Sequence, residues 1–338
     1  MKPILQLKNL SISFDSPDGE VEAVRDVNLS LQKGEILAIV GESGCGKTVM
    51  SQSVLKLLPK TSRIKAGQII VDGEDITHYK EKKMRNLRGS VLSMIFQDPM
   101  TTLNPTIPIG KQITESILKH NKVTKEEAKR RAIEMLNLVG IGDPEYRYAL
   151  QPHFFSGGMR QRCVLAIALA SNPKILFADE PTTALDVTVQ AKMLDLLLDI
   201  REKTGISIVF ITHDLGVVAR IADRVAVMYA GKIVEIGTAE EVFYDPRHPY
   251  TWGLLGALPS NTKDGENLRS IPGMPPVMLD PPPGDAFAVR NEYALKIDYE
   301  EMPPLFPITP THSAATWLLD ERAPKVTSPI SLKRSTNI

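Results

Sequence analysis

The chain is poor in cysteine, with two among 338 residues, Cys45 and Cys163, far apart and not at metal-ligand spacing. That excludes a disulfide scaffold and a thiolate zinc site. It also lacks an excess of either charge, since 40 Lys and Arg balance 40 Asp and Glu. No overall basic field gathers nucleic acid, and no nucleic-acid partner is expected. Long hydrophobic runs are missing too: nothing approaches the roughly 18 consecutive apolar residues that a membrane span needs. Any membrane association must then come through a partner. Met1-Lys2-Pro3 leads straight into strand-like sequence with no leader pattern, so the expected compartment is reducing and cytosolic. What the chain has is length enough for a full α/β core and a smaller appended domain.

The apolar run Ile36-Leu37-Ala38-Ile39-Val40 is followed by Gly41-Glu42-Ser43-Gly44-Cys45-Gly46-Lys47-Thr48. A buried strand and then a glycine-rich turn is what phosphate binding requires. Glycines let successive N–H groups point inward, and the following helix adds its positive end. Lys47 can reach the β- and γ-phosphates, and the Thr48 hydroxyl is placed to ligate Mg²⁺. The loop implies a bound nucleoside triphosphate and leaves open what its energy is used for.

Ile4 to Leu31 alternates in short runs broken by Asp15-Ser16-Pro17-Asp18-Gly19, a hairpin-like pattern. Val49 to Leu58 has helical spacing, stopped by Pro59. From about Asn104 to Tyr148, Ile113, Ile117, Ala128, Ala132, Met135 and Leu136 recur at spacings of three and four, which predicts an inserted helical subdomain. Strand and helix then alternate from Ile175 to Ile211, and Val225 to Ile236 closes as a hairpin around Gly231. Beyond Trp252 proline becomes dense, with Pro281-Pro282-Pro283 the tightest cluster. Phe287, Tyr293, Phe306 and Trp317 supply anchors there that a disordered tail lacks, so a small loop-rich domain is expected.

Ile175-Leu176-Phe177-Ala178-Asp179-Glu180 reads as a buried strand ending in two carboxylates. An acid at the carboxyl end of a parallel strand can hold Mg²⁺, the role expected of Asp179. Two adjacent acids serve packing poorly, and Glu180 is the candidate to polarise the attacking water. Ser156-Gly157-Gly158-Met159 opens a helical run and offers a second anion site, although by itself it reads as a helix cap. The strand Ile206 to Ile211 ends in Thr212-His213-Asp214.

In this order the segments resemble the nucleotide-binding domain of ATP-binding-cassette (ABC) proteins. They correspond to the Walker A loop, the Q-loop with Gln97, the signature Phe155 to Met159, the Walker B strand, the D-loop Ala184-Leu185-Asp186 and the switch His213. The usual signature, Leu-Ser-Gly-Gly-Gln, has Phe155 and Met159 at its ends here. The resemblance implies an α/β fold: a RecA-like P-loop NTPase core with an antiparallel β subdomain and an inserted helical subdomain (about 104–160), together 1–255. A small Pro-rich C-terminal domain, 256–338, follows. It implies ATP and Mg²⁺ as ligands, with Glu180, His213 and Gln97 catalytic and Thr48, Gln97 and Asp179 around the metal. Gly41, Ser43, Gly44, Cys45, Gly46, Lys47 and Thr48 would hold the nucleotide. Phe14 matches the aromatic that stacks on adenine, its alternative being a strand-core residue. In the family two such domains enclose two ATP molecules head to tail, so Ser156 and Gly158 are expected to serve a partner's ATP, and the resemblance also implies nucleotide binding by Gly157 and Asp186.

Phe96-Gln97-Asp98-Pro99-Met100-Thr101-Thr102-Leu103-Asn104-Pro105 is similar to the Q-loop of peptide-importer ATPases. Arg247-His248-Pro249-Tyr250-Thr251 and the tail from Gly273-Met274-Pro275-Pro276 to Ala315-Thr316-Trp317-Leu318-Leu319 are similar to the oligopeptide-permease ATP-binding subunits. This implies an ATPase powering oligopeptide import from the cytoplasmic face of the cell membrane. Its expected partners are two transmembrane permease subunits, a second homologous ATPase in a heterodimer, and an extracellular peptide-binding protein. Gln97 to Pro105 is the expected contact with the permease subunits. Dipeptides, nickel, glutathione or antimicrobial peptides are alternative cargoes in the same subfamily. A soluble ABC ATPase acting on DNA or ribosomes would carry a coiled-coil insertion, a zinc module or tandem cassettes, and none is visible. Cysteine-bearing relatives carry four tail cysteines that can hold an iron–sulfur cluster. The matching positions here are Asp285, Asn291, Asp298 and Thr316, so no cluster is expected.

Overall fold

The computed structural model describes residues 2–97, 102–183, 185–258 and 271–330. Part of the expected Q-loop (Asp98 to Thr101), Ala184 of the D-loop and the stretch 259–270 lie outside the described residues. In chain order the strands are β1 (Leu5–Ser16), β2 (Gly19–Leu31), β3 (Ile36–Val40), β4 (Ser62–Val71), β5 (Glu74–Asp75), β6 (Leu92–Ile95), β7 (Ile175–Asp179), β8 (Ser207–Thr212), β9 (Arg224–Tyr229), β10 (Lys232–Thr238), β11 (Phe306–Pro307) and β12 (Ser313–Ala314). The chain divides into two compact units, one of residues 1–4, 31–35 and 78–211, the other of 5–30, 36–77 and 212–338.

In the first unit β6, β7 and β8 run parallel, with Ile95 opposite Ala178 and Asp179 opposite Ile211. Every residue of β7 and β8 is buried, which is why both read as unbroken apolar runs rather than alternating ones. Helices Ile109–His120 and Lys125–Leu138 fulfil the expected helical spacing. Ile109, Ile113 and Ile117 line one buried face and Ala128, Ala132 and Leu136 the other. Thr124 caps the second helix by accepting the N–H of Glu127. Helix Glu81–Ser90 was not legible in the sequence: Met84 is its one buried residue, so it carries no apolar stripe.

The second unit contains two sheets. One has the order β2-β1-β4-β5, with β1 antiparallel to β4 and a register shift between Lys8 and Ser11, where Asn9 takes φ 47°. In the other, β3 lies parallel to β9, and β10, β12 and β11 continue antiparallel beyond it. The helix after β3 runs Lys47–Val54, shorter than the expected Val49 to Leu58, because Lys56 turns left-handed at φ 52°.

The segment 271–330 packs into this unit through β12 on β10 and through its side chains. Met278, Ala286 and Phe287 share one core with Val40, Val227, Tyr229, Val234 and Tyr250. Phe287 meets Tyr229 and Tyr250 edge-on, with ring centroids 5.2 and 5.3 Å apart. Trp252 meets Tyr293, and Phe306 meets Trp317, in the same manner. Fully buried Glu235 accepts the backbone N–H groups of Arg247 and His248 and bonds His312 Nε2 at 2.8 Å, tying β10 to the loop before β12. Burial pushes His248 down to about 3, and its Nδ1 accepts the N–H of Tyr250. The four positions matched to cysteines share one local role. Asp285, Asn291, Asp298 and Thr316 each accept a backbone N–H two or three residues away, from Phe287, Tyr293, Leu295 and Leu318 respectively.

Candidate functional site

The phosphate loop belongs to the second unit and follows β3 as expected. Gly41, Gly44 and Gly46 take φ 150°, 81° and 102°. A Cβ on Gly41 would lie 2.1 Å from the Met228 carbonyl oxygen, and one on Gly46 2.3 Å from that of Ala23, so only glycine lets the loop lie this close to its neighbours. Gly46 precedes helix Lys47–Val54, which has no side-chain cap at its N-terminus. Its first N–H groups and its dipole therefore suit an anion. Lys47 is buried, and its ammonium donates to the carbonyls of Gly41 at 2.7 Å and Glu42 at 2.9 Å, with Cys45 Sγ at 3.6 Å. Burial raises the Cys45 thiol pKa, opposed by Lys47, so the thiol stays protonated and unreactive. Ser43 and Gly44 are exposed at the loop's tip, and Thr48 is half-buried in the first helical turn.

His213 follows β8 and is exposed, while the next residue, Asp214, caps helix Leu215–Ile221 by accepting from Gly216 and Val217. Phe14 is half-buried on β1 opposite Ser62, neither a full core residue nor a free surface ring. All of these lie in the second unit.

The first unit carries the acids. Asp179 ends β7 and is buried. Glu180 takes φ 47°, a left-handed conformation uncommon outside glycine, while its N–H still donates to the Ile211 carbonyl at 2.9 Å. Its Oε2 accepts from Gln97 Nε2 at 3.0 Å and from Thr183 Oγ1 at 3.0 Å. Two residues expected from sequence to share the chemistry, Gln97 and Glu180, are thus joined directly.

Ser156 caps helix Gly157–Leu169 and accepts from Met159 N–H at 3.4 Å. Gly158 lies where a Cβ would come within 2.8 Å of Val189, whereas Gly157 faces open space. Asp186 caps helix Val187–Thr204 by accepting from Val189 N–H at 2.9 Å. Phe155 and Met159, the two departures from the usual signature, touch the same residue. Arg147 lies 6.0 Å over the Phe155 ring and its guanidinium reaches Met159 Sδ at 3.5 Å. Sequence reasoning missed Arg147, and it missed Tyr250 and Arg290, which bond Glu42 in the phosphate loop. No periodicity marks an arginine that is to be buried.

The structure matches solved ATP-binding cassettes, among them a dimeric one in a post-hydrolysis state bound to ADP and Pi, with a TM-score of 0.62 and 26% identity over 70% of this chain and 98% of that one. The fold is therefore the α/β cassette of a P-loop ATPase. A family model for the ABC transporter domain matches residues 24–183, and one for the oligopeptide/dipeptide transporter C-terminal region matches 234–297. The chain is 58% identical to the oligopeptide transport ATP-binding protein OppD of Bacillus subtilis, over 98% of this chain and 93% of that protein. It is 55% identical to the dipeptide transport ATP-binding protein DppD of Lactococcus lactis, over 96% and 93%. The chain belongs to the ATP-binding proteins of the oligopeptide/dipeptide ABC transporter family.

Proposed function

We propose that this chain binds and hydrolyses ATP to power the import of oligopeptides through a membrane ABC transporter. The observation that carries the reading is the phosphate loop: left-handed glycines, a buried Lys47 and an uncapped helix start, a shape that suits the phosphates of a nucleotide. In this reading Gly41, Ser43, Gly44, Cys45, Gly46 and Lys47 hold the phosphates and Phe14 stacks on adenine. The same reading gives a Mg²⁺ ion to Thr48, Asp179 and Gln97, each of which carries the hard oxygen donor that this ion takes. The ion, when bound, neutralises charge on the phosphates. Glu180, oriented by Gln97 and Thr183, takes the proton of the attacking water, and His213 stabilises the γ-phosphate. Ser156 and Gly158 serve the ATP of a second, homologous ATPase, and Gly157 and Asp186 are nucleotide-binding residues.

The same reading makes the chain a peripheral subunit on the cytoplasmic face, as the likeness to transport ATP-binding proteins supports. No helix among the described residues is long and apolar enough to cross a membrane. Two permease subunits, reached through the region of Gln97 to Pro105, and an extracellular peptide-binding protein complete the assembly. We take 1–255 as the nucleotide-binding domain, with its helical subdomain at about 104–160, and 256–338 as the appended segment. That segment needs no iron–sulfur cluster, because Asp285, Asn291, Asp298 and Thr316 already serve as turn caps. Stoichiometric iron and acid-labile sulfide in the purified protein would refute this last point.

Replacing Glu180 with Gln keeps the shape but removes the base. ATP binding is expected to persist while hydrolysis falls by about 100-fold or more. Turnover within a few-fold of wild type would remove Glu180 from this role. At the level of the assembly, the chain should co-purify with permease subunits from membranes and not with nucleic acid. The 55% identity to a dipeptide transport protein supports dipeptides as the second cargo, and uptake assays with peptides of graded length separate the two.

A further inference from the structure

The second residue of the phosphate loop is held from outside the loop. The Glu42 N–H donates to Tyr250 Oη at 2.8 Å. Its carboxylate receives two parallel bonds from Arg290, Nη1 to Oε2 at 2.6 Å and Nη2 to Oε1 at 2.9 Å. The Arg290 side chain is only 3% exposed. Its other N–H groups go to the Pro272 carbonyl at 2.7 Å, Tyr229 Oη at 3.2 Å and the Gly273 carbonyl at 3.2 Å. A guanidinium has five N–H donors, and here each has an acceptor. The Glu42 carbonyl in turn accepts from the Lys47 ammonium. A continuous set of bonds thus runs from the C-terminal segment through Glu42 to the lysine of the loop.

A loop that must present several N–H groups in fixed directions loses conformational entropy when its ligand binds. An anchor that pre-orders it lowers that cost. We propose that Arg290, assisted by Tyr250, is a positioning residue of the phosphate loop: it fixes Glu42 so that Gly41 to Thr48 is ordered for the triphosphate. The C-terminal segment thereby supports nucleotide binding. This rests on the ATP-binding reading above. Coupling of this kind is reciprocal, so a bound nucleotide stabilises the segment that carries Arg290.

The test uses the full chain, with ATP affinity read by titration and backbone hydrogen exchange read over residues 285–299. Arg290→Lys keeps the charge but cannot form the paired bonds, and Tyr250→Phe removes a single hydroxyl. ATP affinity should weaken by about tenfold in the first and by about threefold in the second, in keeping with the loss of charge-assisted and neutral bonds. Arg290→Lys combined with Glu42→Gln should be no weaker than the worse single variant, because both act through one contact. In the assembled transporter KM for ATP should rise with kcat nearly unchanged. ATP should slow exchange at 285–299 in wild type, and less so in Arg290→Lys. If Arg290→Lys fails to fold, Tyr250→Phe and the wild-type exchange decide. Unchanged affinity in the folded variants, with exchange indifferent to ATP, would overturn this inference alone. A wild-type chain that does not bind ATP would overturn the nucleotide reading and this inference with it.

Discussion

Asp285 shows how one residue can carry a pH dependence. It is almost wholly buried, and burial pushes its carboxyl up to about 6, helped by Asp298 and opposed by the Phe287 N–H, Arg25 and Lys232. The native state therefore holds this proton more tightly than the unfolded chain, whose value is near 3.8. Its stabilising share is complete below about pH 3.8 and is lost as pH rises through 6. Above that, the ionised group costs on the order of 3 kcal/mol. Asp285→Asn keeps the acceptor for Phe287 and removes the charge. Its melting temperature should exceed wild type by several degrees at pH 7.5, with the difference vanishing near pH 4. A difference independent of pH would show that burial of the charge is not the cause. In the sequence Asp285 is legible only as a place where relatives have cysteine. Its role as a turn cap depends on φ and ψ, which no residue type announces.

At the scale of an element, the signature loop explains why its two unusual residues are tolerated. Phe155 is buried beneath Arg147, and Met159 offers that arginine a sulfur acceptor. Among the described residues the Arg147 Nε has no hydrogen-bond partner, so Arg147 holds these two side chains through ring and thioether contacts. Arg147→Ala removes both at once. It should lower the melting temperature by a few degrees and reduce ATPase activity of the assembled transporter several-fold, while ATP binding by the isolated chain stays unchanged. Equal loss in the isolated chain would place the loop's role within this subunit. The strands β3, β7 and β8 were readable because parallel strands buried on both faces need uninterrupted apolar residues. The helix Glu81–Ser90 was not, because its one buried residue leaves no period to detect.

At the scale of the molecule, the proline-rich tail is a structural member of the second unit. Phe287 and Met278 fill the core around Tyr229 and Tyr250, and β12 covers the edge of β10. Ending the chain at Leu258 would expose that core and leave β10 with an open edge. The shortened chain should aggregate and lose its cooperative melt, read by light scattering and calorimetry. A monomeric product with wild-type melting would show that the tail is dispensable for folding.

The sequence by itself determined the glycine-rich turn Gly41 to Thr48, the paired acids Asp179 and Glu180, and their flanking strands. Glycine spacing and apolar runs express local backbone needs, and local needs leave local patterns. It also determined the helices Ile109–His120 and Lys125–Leu138, since amphipathic spacing follows from one-sided burial. Tertiary structure alone decided that Arg290 lies on Glu42, 248 residues away, and that Arg147 covers Phe155. It also decided that Gln97 and Glu180 meet. Each of these contacts gives a charged or polar side chain a partner that its neighbours in sequence do not announce. Their energy comes from desolvation and exact placement, which no periodicity along the chain records.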